Sequence, residues 1–347
     1  MLHNPLEFAP RFHELVAEET KLTFDDLREA MRRLYDINEH TLLEESNANQ
    51  GTMGFFNRKS TAARNRKFAR KIRKGFRLQS KHKLILAEGD SWFQFPVFVK
   101  DVIDWLMKRR DYAICSIASG GDWLINILYE GRYIEELSIL VPDVFLISGS
   151  GNDLVGSNRL AIMVDRHRGI GRMKAAEDFQ KAAFGVADPE LTEGRRYITK
   201  EFYAFILLMK AQYWIMFAGI RKSDKFKSMR IITQGYANAI PSYACSFSWR
   251  YPLKFLVNYF LGTGKWLKHP LMLKGIPDDA GQHRKIVKTM IHELNEMFIE
   301  LSSAFENVHH IDARPLVTRA GDWFDELHVK SHVFREVARK FEACIDA

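Results

Sequence analysis

Cysteine is scarce in this 347-residue chain: only Cys115, Cys245 and Cys344 occur, and they lie far apart. Three such residues build no disulfide framework and match no zinc knuckle. They suit a reducing compartment, so the expected location is cytoplasmic. A basic patch followed by an apolar run is missing from the N-terminus, and no secretory signal is read there. No internal repeat or low-complexity tract stands out, which excludes a repeat architecture. One apolar stretch, Phe202 to Ile220, reaches membrane-spanning length, yet Lys210 and Gln212 at its centre make a span costly. A buried or capping helix is the expected outcome.

Acidic residues are also missing from one place. Between Arg58 and Lys83 there are 12 Lys and Arg and no Asp or Glu; without those 12, the net charge of +8 becomes −4. The basic character therefore belongs to one segment. Phe68, Ile72 and Phe76 recur there every four residues, which predicts a helix with one apolar stripe. Such a segment is a solvated helix, or a docking element for an anionic membrane surface or for nucleic acid. The apolar stripe favours the membrane and disfavours nucleic acid, which is bound through stacking platforms. A location peripheral to the membrane would follow.

What remains is an ordinary globular composition, 46% hydrophobic and 27% charged, in a chain long enough for one large domain or two. Residues 1–50 carry helical spacing, and Asn47 to Phe56 reads as a break. From Lys83 onward the pattern changes. Short apolar runs recur at Leu84–Ala87, Tyr112–Ile117, Val144–Ile147, Arg230–Thr233 and Val308–Ile311, with helical stretches such as Val97–Arg109 and Arg284–Phe305 between them. That alternation predicts an α/β fold with a five-stranded parallel sheet covered on both faces. The domain division expected is a helical, basic N-terminal extension over 1–82 and a catalytic domain over 83–347. Insertions are expected at about 157–227 and 243–276, the second rich in aromatic residues.

Four short motifs fall where strands end: Gly89-Asp90-Ser91, Ser119-Gly120-Gly121-Asp122, Gly149-Ser150-Gly151-Asn152-Asp153 and, near the C-terminus, Asp325-Glu326-Leu327-His328. Groups beyond the carboxyl ends of parallel strands converge on one crevice. The residue types suit acyl transfer: a serine hydroxyl, an imidazole to take its proton, and a carboxylate to hold that imidazole. Asp325 and His328, three apart, can point the same way on one turn. The Ser91 N–H, a glycine N–H and the Asn152 amide can meet an oxyanion, Gly121 being preferred to Gly120 because its N–H immediately precedes Asp122. His332 lacks a carboxylate three residues before it, and adjacent His309 and His310 on a strand point to opposite faces, away from a shared metal. No metal or other cofactor is expected.

In the order and spacing of these blocks the chain resembles the SGNH (GDSL-like) hydrolases over about residues 83–345. The resemblance implies a flavodoxin-like three-layer α/β/α fold and metal-free ester hydrolysis. Ser91 would be the nucleophile, Asp325 and His328 would complete the catalytic triad, and Ser91, Gly121 and Asn152 would form the oxyanion hole. Trp92 and Phe93 depart from the family's smaller residues and are expected to reshape the acyl pocket. The expected substrate is an ester, lipid-like or long-chain if the aromatic insertion forms a lid. A carbohydrate O-deacetylase, or a non-catalytic docking module on the same fold, are the alternatives.

Overall fold

The computed structural model describes residues 52–76, 82–95, 99–167, 188–242 and 265–347. The expected helices over 1–50 and most of the aromatic insertion, 243–264, lie outside the described residues. In chain order the elements are α1 (Thr52–Arg73), β1 (Lys83–Gly89), α2 (Val102–Leu106), β2 (Tyr112–Ser116), α3 (Leu124–Glu130), α4 (Arg132–Leu140), β3 (Val144–Ser148) and α5 (Gly151–Val155). There follow α6 (Pro189–Arg195), α7 (Lys200–Arg221), β4 (Arg230–Gln234), α8 (Lys268–Leu273), α9 (Gln282–Ala304), β5 (Val308–Ile311) and α10 (Ser331–Asp346).

All five expected strands form, and they pair in parallel in the order β2-β1-β3-β4-β5. This is the flavodoxin-like order, whose direction of growth reverses between β1 and β3. Most of their side chains are buried on both faces because helices cover both: α2 packs with α10 on one, while α3, α4, α7 and α9 cover the other. Each Leu or Ile so buried contributes roughly 1.5–3 kcal/mol. The break expected over Asn47–Phe56 ends earlier than its composition suggested, since α1 already begins at Thr52.

Helix α7 corrects the first insertion. Phe202–Ile220 was placed in surplus sequence, but α7 is the crossover joining β3 to β4, which parallel pairing requires. Its apolar surface is largely buried, and it packs on α9. By length and composition it could cross a membrane. Within the fold, Lys210 ion-pairs with Glu300 at 2.6 Å.

Helix α1 lies along β2, the outer strand. Asn65 donates to Ser116 O at 2.9 Å and accepts from Ser116 N–H at 3.0 Å. Lys71 donates to the carbonyls of Arg109 and Tyr112, and Asn57 to that of Gly120. An open strand edge is thereby closed by side chains. Arg64, only 3% exposed, donates to Phe93 O at 2.7 Å and pairs with Asp101 at 2.6 Å. The apolar stripe read as membrane-facing is used inside the protein: Phe68 and Ile72 pack against Phe76, Leu84 and Ala113.

Candidate active site

The crevice opens at the carboxyl ends of β1 and β3. At the end of β1, Gly89 has φ 153, and a Cβ there would meet Ser148 O at 2.5 Å. Only glycine lets the two strands approach so closely. Asp90 then turns the chain: its carbonyl accepts from the N–H groups of Phe93 and Gln94, and its Oδ1 from Trp92 N–H at 3.0 Å. Ser91 sits at the tip of this turn. Trp92 lines the crevice, and its Nε1 donates to Leu327 O at 3.1 Å. Phe93 departs from expectation: it turns away from the pocket and packs edge-on against Phe341 in the core.

The C-terminal loop brings Asp325 and His328 to the same point. His328 Nε2 lies 2.7 Å from Ser91 Oγ, and His328 Nδ1 lies 2.9 Å from Asp325 Oδ2. The pairing arises from a tight loop rather than a helical turn. Asp325 Oδ1 accepts from the N–H groups of Leu327 and His328 at 2.8 and 2.7 Å, so the carboxylate organises its own loop. Burial works to raise the Asp325 pKa, but the His328 charge and these hydrogen bonds hold it below the usual carboxylate range. Phe95 lies against the imidazole, ring centroids 4.6 Å apart. His332 stays outside, exposed and 3.2 Å from Asp322.

The three expected oxyanion donors are disposed as follows. Among the described residues, neither Ser91 N–H nor Gly121 N–H donates to any protein acceptor. Gly121 has φ 91 and open space where a side chain would be, whereas Gly120 is pressed against Gln94 O. Asn152 donates one amide hydrogen to Asp122 O at 2.8 Å, which fixes the amide and leaves its second hydrogen available. No group of three His, Cys, Asp or Glu side chains among the described residues gathers as a metal site.

Two residues of the site were not read from the sequence. Tyr236, just beyond β4, is fully buried and donates to Asp90 Oδ2; its hydroxyl lies 2.8 Å from Gly149 O and accepts from Gly151 N–H at 2.9 Å. It thus joins the Ser91 turn to the Asn152 turn. Asp90, further bonded to Ser148 Oγ at 2.9 Å, is a buried hub; burial raises its pKa against the pull of these hydrogen bonds. Glu326, between Asp325 and His328, accepts from the N–H groups of Ser242, Trp266, Leu267 and Lys268. One carboxylate therefore ties the Asp325–His328 loop to both flanks of 243–264. Tyr236 had one signal, its place after a strand end; Glu326 had none, because its partners lie 58 to 84 residues away.

Beside Ser91 is an apolar pocket with about 40 Å³ of free space. Leu154, Val155 and Leu160, with Val287, Met290 and Ile291 of α9, are among its lining. That space takes roughly three or four heavy atoms, a water needing about 10–15 Å³ by the same measure.

No family model matches the chain, and no curated protein matches it. Solved structures do. The chain is similar to an extracellular lipase from Streptomyces rimosus, with 12% identity, covering 74% of this chain and 99% of that one, at a TM-score of 0.41. It is similar to a family 3 carbohydrate esterase from Clostridium thermocellum, with 11% identity over 76% and 94% of the two chains and a TM-score of 0.38. An acetylxylan esterase from Geobacillus stearothermophilus has 9% identity over 77% and 96%, with a TM-score of 0.37. The likeness is one of fold.

Proposed function

We propose that the chain hydrolyses short-chain carboxylic esters through an acyl-enzyme on Ser91, in the manner of the SGNH hydrolases. The observation that carries this reading is the continuous relay from Ser91 Oγ to His328 Nε2 at 2.7 Å and from His328 Nδ1 to Asp325 at 2.9 Å. Ser91 Oγ attacks the acyl carbonyl as its proton passes to His328 Nε2. The oxyanion is met by the N–H groups of Ser91 and Gly121 and by the free amide hydrogen of Asn152. Collapse expels the alcohol, which takes the proton from His328. Water then attacks the acyl-enzyme with His328 as base, and the carboxylic acid leaves as Ser91 recovers its proton. Asp325 holds the imidazole in the tautomer that presents a bare Nε2 to serine.

The small apolar pocket favours an acetyl or similarly short acyl group over the long chain first expected, and this size also keeps a carbohydrate O-deacetylase in view. Hydrolysis of p-nitrophenyl acetate, butyrate and laurate by wild type and Ser91→Ala tests both parts. Acetate or butyrate should lead, and the substitution should remove at least 10³-fold of kcat. Equal turnover by the two proteins would sink the serine assignment; a laurate optimum would sink the short-acyl assignment.

A further inference from the structure

The outward side of α1 carries Arg58, Arg66, Lys67, Arg70 and Arg73, and Lys74 follows at its end; all six are exposed. None has an ion-pair partner among the described residues. A merely solvated face mixes both signs, and this helix contains no acid at all. Nor is the helix loosely held. Its inner side chains, Arg64, Asn65 and Lys71, are fastened to the domain, so the outward cations are presented at a fixed orientation.

Beside it lies a small apolar patch at the end of α4, next to the acids Glu135, Glu136 and Asp143. Leu140 packs into the same small cluster as Phe68 and Ile72, and its neighbours Ile139 and Val141 are 74% and 41% exposed. Val141 holds φ 43, a left-handed conformation that glycine or asparagine takes far more readily at a helix end.

We infer that α1 and the end of α4 form a docking surface for an anionic lipid bilayer, with Ile139 and Val141 entering the interface and the α1 cations set on lipid phosphates. The inference does not depend on the ester-hydrolase reading. A bilayer fits better than nucleic acid because aliphatic side chains adjoin the cations, and among the described side chains of α1 and the end of α4 no aromatic ring is exposed for base stacking. The orientation is also defined. Asn57 meets Gly120 beyond the carboxyl end of β2 and Lys71 meets Tyr112 at its amino end, so α1 runs antiparallel to the strand. Ile139 and Val141 lie just before β3, at the amino ends of the strands. The crevice holding Ser91, at the carboxyl ends, stays open when the protein is docked.

The test is flotation of the full chain with phosphatidylcholine vesicles and with vesicles in which about a third of the lipid is phosphatidylglycerol. Each cation near such a surface contributes about 1 kcal/mol, so Arg66→Glu/Lys67→Glu/Arg70→Glu should weaken partitioning by at least about a hundredfold. The single changes Lys67→Gln and Arg70→Gln, mild enough to leave folding intact, should each weaken it about fivefold. Ile139→Ser should weaken it at constant charge, and raised salt should release the wild type. Hydrolysis of a soluble ester should continue on the vesicle. Equal partitioning to neutral and anionic vesicles, no partitioning, or single-cation variants that bind like wild type would overturn the inference. Preferential binding to duplex DNA or RNA in competition with the vesicles would overturn it in favour of a nucleic-acid face.

Discussion

Tyr236→Phe removes one oxygen atom and separates the proposed catalytic network from simple packing. The Tyr236 hydroxyl has one proton to give, and the Asp90 carboxylate is its stronger acceptor. Burial and the Asp90 charge push the phenol pKa well above its usual value, so the proton stays on Tyr236. Its loss removes a charge-assisted hydrogen bond, about 1.5–3 kcal/mol, and leaves the Gly151 N–H without its acceptor, about 1 kcal/mol more. The expected destabilisation is about 2.5–4 kcal/mol by urea unfolding at neutral pH. Catalysis should suffer separately. Asp90 fixes the Ser91 turn and Gly151 precedes Asn152, so nucleophile and oxyanion donor lose their common tie; kcat should fall about 10–100-fold with KM within about twofold. The Tyr236 hydrogen bond lowers the Asp90 pKa against the effect of burial. Without it the carboxyl holds its proton to higher pH, and the acid limb of the kcat profile should move upward. A variant that loses stability but keeps wild-type kcat and pH profile would reduce Tyr236 to a packing residue. One that loses neither would refute the network.

Glu326→Ala strips four backbone N–H groups of their acceptor and should cost at least about 3 kcal/mol of stability, with Glu326→Gln retaining part of it; unchanged urea midpoints would dismiss the clamp. Met290→Ala should enlarge the pocket beside Ser91. Room for two further methylenes, at about 0.8 kcal/mol each, should raise the butyrate-to-acetate ratio of kcat/KM about tenfold, and an unmoved ratio would place the acyl group elsewhere. Asp153 is fully buried, and burial pushes its pKa up from 3.8 to about 6. The folded state therefore holds this proton where the unfolded chain has lost it. That contribution is complete below about pH 4 and disappears as pH rises through 6. Asp153→Asn should gain on wild type by up to about 3 kcal/mol between pH 4 and 7, read from urea midpoints across that range; parallel pH curves would contradict it.

Much of the site was legible because its parts are local. The residue runs of β1, β2 and β3 are apolar and short, and each stops at glycine, serine, asparagine or aspartate, where the chain must turn. Parallel pairing then brings those stops to one end of the sheet without any side chain having to specify it. The pairing of Asp325 with His328 was legible for the same reason, although a carboxylate-centred loop performs what a helical turn was expected to do. Phe93 was misread because an aromatic residue beside a nucleophile carries no mark of the side it faces; the α10 core, closed by Phe341, decides it. The buried helix expected over Phe202–Ile220 forms, but it was assigned to an insertion because an unbroken apolar helix looks like surplus until β3 and β4 are known to be parallel neighbours.

The inner side of α1 shows the deeper limit. Asn57, Arg64 and Lys71 stand seven residues apart and all face the domain, yet they are polar, so a search for hydrophobic periodicity passes over them. The surface they meet explains the choice. An outer strand and its flanking turns present bare N–H and C=O groups, and an apolar helix face laid on them would leave those groups without partners, at about 1–3 kcal/mol each. Amides and cations, with their donors and long stems, are what such an edge requires. A run of cations in this chain therefore combines two unlike sets, one chosen by the edge of β2 and one left facing outward. Only the strand that the helix covers tells them apart.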